Sequence, residues 1–82
     1  MPDARPPRLS DADERLLALE EQTFRFVGTK ERRIREELGM SSLAYHVRLD
    51  ALLDEPAALA AHPALVNRLR ARRARTERDH LV

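Results

Sequence analysis

Eighty-two residues with a net charge of +1 make one small domain, with room for a modest core and little stability to spare. The chain has no cysteine, which removes disulfide frameworks, thiolate metal sites and cysteine nucleophiles. No apolar run approaches the roughly 20 residues that span a bilayer, and the start Met1-Pro2-Asp3-Ala4-Arg5 lacks the apolar core of a signal peptide, so the chain reads as cytoplasmic and without a membrane partner.

The small net charge hides an uneven distribution. Residues 1–61 hold nine basic and twelve acidic side chains, whereas residues 62–82 hold six arginines against Glu77 and Asp79. Such asymmetry describes a near-neutral body beside a basic arm.

Met1 to Leu9 is rich in proline and charge and reads as an unstructured lead-in. A first helix is expected from Ser10, with Asp11, Asp13 and Glu14 stabilised by the positive end of the helix dipole. Its apolar set, Leu16, Leu17, Leu19, Phe24, Phe26 and Val27, predicts a broad stripe that ends at Gly28. A second helix is expected from about Lys30 to Leu38, with Thr29 as its cap and Ile34 and Leu38 facing inward. On its outer side Arg32 with Glu36 and Arg33 with Glu37 stand four apart, the spacing of helical ion pairs.

Gly39 then suits the left-handed conformation that ends a helix, because it has no Cβ to clash. Met40 follows as an apolar plug, and Ser41 is a good cap for a third helix from about Ser42 to Leu53. That helix turns Tyr45, Leu49 and Leu52 inward, with Leu53 on the flank. Pro56 stops it and opens a short helical turn to Ala61. Pro63 can open a last helix to about Arg78, docked by Leu65, Val66 and Leu69. Beyond Leu69 only alanine and polar residues follow until Leu81, so the far end frays or awaits a partner.

The expectation is therefore an all-α fold, a small bundle of four to five helices. It places a flexible lead at 1–9, a helical domain at 10–69 and a basic helix end or tail at 70–82. Two short helices joined at Gly39 are the anatomy of a helix-turn-helix, which sets its second helix in the major groove of duplex DNA. An ordinary helical corner has the same pattern, so the sequence leaves both open.

The run Gly28-Thr29-Lys30-Glu31, Ile34-Arg35-Glu36 and Leu38-Gly39-Met40-Ser41 resembles a family of small actinobacterial proteins of unassigned function. The similarity continues through Tyr45, Leu49, Ala51-Leu52 and Pro56-Ala57-Ala58-Leu59-Ala60, then resumes at Pro63, Leu65-Val66 and Arg68-Leu69-Arg70. The resemblance implies a helix-turn-helix domain that binds DNA. The chain departs from the family pattern in the third helix. There the family carries an arginine, a second tyrosine and a glutamine, and this chain has Ala44, His46 and Val47. Arg48 stands at a position that is usually apolar, and Thr23 and Phe24 stand where the family tends to have tryptophan. The resemblance is thus that of a divergent member.

The advance of about 100° per helical residue sends Leu43, Val47 and Asp50 outward, with His46 at one edge and Arg48 about 80° from the buried centre. Base reading favours Arg, Asn or Gln on that surface. Here Ser41, Ser42 and His46 are the candidate base-edge donors. Lys30, Arg48, Arg68, Arg70, Arg72, Arg73 and Arg75 are the candidate phosphate contacts. Arginine forks onto phosphate oxygens and releases counterions, giving affinity that falls with salt.

The leading expectation is a small DNA-binding transcriptional regulator. The rival is a protein-interaction module, docking through Leu43, Val47 and Ala51 on transcription machinery or on a second copy. An antitoxin or phage-type accessory protein is a third reading that the sequence does not separate from these. No enzyme is expected and no cofactor. His46, His62 and His80 are too far apart for a helical metal pair, and Asp11/Asp13, Glu20/Glu21 and Glu36/Glu37 suit solvated helix faces.

Overall fold

The computed structural model describes residues 8–80. Among them are five helices and no strand: α1 (Asp11–Glu21), α2 (Val27–Arg33, continued by a π-helical turn Ile34–Leu38), α3 (Ser42–Leu52), α4 (Pro56–Ala61) and α5 (Pro63–His80). The all-α expectation holds. Of the predicted lead, residues 1–7 lie outside the described residues; Leu9 is half-buried against the core.

Ser10 caps α1 as expected, its Oγ accepting from the Asp13 amide at 3.1 Å. The helix nevertheless stops seven residues short of Gly28. Gln22 turns extended and its amide donates to the Leu19 carbonyl at 3.1 Å. Phe24 lies seven residues after Leu17, two helical turns on, so its spacing mimics a continued stripe. In fact it folds back from a loop as a half-buried neighbour of the core. Phe26 and Val27, read as core, are 65% and 75% exposed.

The second helix accordingly begins at Val27, earlier than expected. Phe26 is its cap residue, with no side-chain hydrogen bond, and Thr29 sits inside the first turn instead of capping it. Gly28 lies within this helix and terminates nothing. The π-helical turn that closes it has no sequence signature we recognise. Arg33 and Glu37 pair across it at 3.0 Å, whereas Arg32 and Glu36 form no ion pair among the described residues.

The bend at Gly39 is as read. Its φ of +63° is the only positive φ among the described residues, and its amide bonds the Arg35 carbonyl at 3.0 Å. Ser41 then caps α3, accepting from the Ala44 amide at 3.1 Å. Tyr45, Leu49 and Leu52 face inward and meet Leu16, Leu17, Leu19 and Ile34 in one core. Leu53 at the end of α3, Ala58 of α4, and Leu65, Val66 and Leu69 of α5 complete it. Pro56 starts α4 at its first turn, and α5 runs unbroken through position 70 to His80, past the expected end at Arg78.

Candidate functional site

Helix α3 presents an outer surface made by its capping and spacing. Leu43 is 76% and Val47 63% exposed, with Ala44, His46, Asp50 and Ala51 also open. Ser41 is exposed and Ser42 half-buried at the leading end. The Ser41 oxygen accepts the capping bond, which leaves its proton free to donate outward. His46 stands edge-on to the Tyr45 ring, their centroids 5.2 Å apart.

The cations named from the sequence fall into two groups. Lys30 is held inward: its Nζ meets Glu20 Oε1 at 2.8 Å and lies 5.5 Å from the Tyr45 ring centroid. Tyr45 donates its phenol proton to the same Glu20 oxygen at 2.5 Å, so one carboxylate ties α1 to both α2 and α3. Burial pushes the Tyr45 phenol well up, and the Glu20 carboxylate reinforces that direction.

Arg48 reaches back to α1 and forks onto Asp13, Nε to Oδ1 at 2.9 Å and a terminal nitrogen to Oδ2 at 2.6 Å. This bidentate bond holds the Asp13 carboxyl below the usual carboxylate range against its burial, and Ser10 acts in the same sense. It also raises the Arg48 guanidinium. Arg70 donates to the Leu53 carbonyl at 2.6 Å. Arg73 bridges Asp50 at 3.0 Å and Asp54 at 3.1 Å, which lowers the Asp54 carboxyl. Four of the seven candidate phosphate contacts thus clamp the helices together.

Arg68, Arg72 and Arg75 form the second group. They are exposed and make no ion pair or side-chain hydrogen bond among the described residues. Arg72 and His46 line one recess of about 340 Å³ between α3 and α5, floored by Leu49, Leu53 and Leu69. Arg68 and Arg72 also line a neighbouring recess of about 410 Å³ with Lys30 and Phe24. The structure therefore brings His46 on α3 beside Arg72 of α5, whereas Arg48 is engaged with Asp13 of α1.

Sequence reasoning missed Asp13, Glu20 and Asp54 as fixing partners. Asp13 was legible only as a helix-start acid, although an arginine at the usually apolar position 48 was a signal that some buried acid answers it. Among the described residues no helix is long and apolar enough to cross a membrane. No curated protein and no solved structure matches the chain. Residues 8–80, nearly the whole length, match the model of a family described as proteins of unknown function, DUF3263, and the chain belongs to that family.

Proposed function

We propose that this DUF3263 chain is a small DNA-associated transcriptional regulator in which α2, the bend and α3 act as a helix-turn-helix. The observation that carries the reading is the left-handed turn at Gly39, with Ser41 capping a helix whose outer edge stays open. In this reading Ser41, Ser42 and His46 approach base edges, and Leu43 and Val47 pack on thymine methyls. Asp50 lies further along α3 and is neutralised by Arg73, which lessens its repulsion of phosphate.

The exposed Leu43 and Val47 favour a second reading, a protein-interaction module that keeps the fold and docks through Leu43, Val47 and Ala51. One set of titrations separates the two. A fluorescently labelled duplex at about 25 mM salt should be bound and released steeply as salt rises. Leu43→Asp with Val47→Asp should weaken that binding while circular dichroism stays unchanged. Failure of the native protein to bind any duplex at low salt contradicts the DNA reading. Protein capture from host extract, surviving nuclease and lost in the double variant, then favours the second.

A further inference from the structure

Whether α5 merely decorates the bundle or carries affinity depends on which of its arginines are already engaged. Arg70 and Arg73 turn toward α3, where a backbone carbonyl and two aspartates hold them. Arg68, Arg72 and Arg75 occupy positions i, i+4 and i+7, within an arc of about 60° on the other flank. They span a rise of about 10 Å along the helix.

Of the acids near this flank, Glu77 lines the recess beside Arg72 and makes no ion pair among the described residues, and Asp79 follows Arg75 by four positions. Glu20 is held by Lys30 and Tyr45, and Glu21 stands 3.7 Å from the His62 ring. We infer that Arg68, Arg72 and Arg75 form a built-in rail for a single DNA phosphate strand, entering beside His46, and that α5 supplies most of the electrostatic affinity. The inference rests on the DNA-binding reading and deepens it, since it assigns the affinity to α5 instead of α3. A membrane surface is the poorer fit. An interfacial helix needs a free apolar side, and that of α5 is already buried through Leu65, Val66 and Leu69.

The test is the salt dependence of duplex binding, measured by fluorescence anisotropy between about 25 and 200 mM salt. Replacing all three arginines (R68A/R72A/R75A) should reduce the slope of log K against log salt by about 2.7, or 0.9 for each lost phosphate contact. The lysine variant R68K/R72K/R75K should restore most of that slope, because the term counts charge. Helicity by circular dichroism should match the native chain, since none of the three residues is buried. Native binding whose slope the alanine variant leaves intact overturns the rail and spares the DNA reading. Absence of native binding at every salt removes that reading and the rail with it, and binding to anionic-lipid vesicles in place of duplex does the same.

Discussion

Leu52→Ala should destabilise the protein by about 3 kcal/mol, the cost of deleting a buried leucine and leaving a partly uncollapsed cavity. Leu52 has no exposed surface and belongs to the core shared by α1, α3 and α5. A domain of this size holds roughly 4–12 kcal/mol in total, so the loss is a large fraction of it. The melting temperature, followed by circular dichroism, should fall by roughly 15–20 °C. Leu43→Ala, nine residues earlier in the same helix, should change stability by less than about 0.5 kcal/mol, because Leu43 is already 76% in water. Two leucines of one helix thus report its rotation. Equal losses would mean that α3 presents a different face from the one described.

Asp13→Ala should cost about 1–2 kcal/mol and flatten the acid side of the stability profile. The full penalty of breaking a buried ion pair does not apply, because 43% of the Arg48 side chain remains in solvent and rehydrates when its partner is removed. What is lost is a bidentate, charge-assisted bond at a helix N-terminus, where the dipole also favours the carboxylate. Asp13→Asn should lose less, since the amide oxygen still accepts one of the two bonds.

The pH dependence follows from the direction of the shift. The folded-state carboxyl is lowered from an unfolded value of 3.8, so its contribution is complete above that pH. It disappears as pH falls through the lower, folded value. Urea midpoints of the native protein should therefore drop below about pH 4, and those of Asp13→Ala should drop less steeply. Asp54, also lowered, acts in the same window in both proteins, so the difference between the two curves isolates Asp13. Parallel curves would show that the Arg48 fork contributes nothing to folding.

The parts of the fold that follow local rules were legible in the sequence. Gly39, Ser41, Pro56 and Pro63 each act through their own backbone chemistry, and each lies at the boundary it predicts. The inward edge of α3 also followed from spacing alone. Helical periodicity failed at Phe24, because a loop that folds back can return an aromatic ring to the core at the same interval as another two turns of helix. Gly28 and Thr29 resemble an end and a cap, but both lie inside the first turn of the helix that Val27 opens.

The candidate site was legible by residue type but not by partner. Lys30, Arg48, Arg70 and Arg73 look like phosphate contacts in a list of basic residues, and only folding brings Glu20, Asp13, the Leu53 carbonyl, Asp50 and Asp54 to them. Those pairings join residues from ten to thirty-five positions apart, beyond the reach of any local pattern. What survives from the sequence is a shorter set: the leading end of α3, His46, and one flank of α5.

Amide shift mapping of the isotopically labelled protein against a short duplex at low salt tests that surface most directly. The largest changes should fall on residues 41–47 and 68–75 together, with the Asp13–Arg48 and Glu20–Tyr45 contacts undisturbed. Shifts centred on α1, or a spectrum that the duplex leaves unmoved, would contradict this.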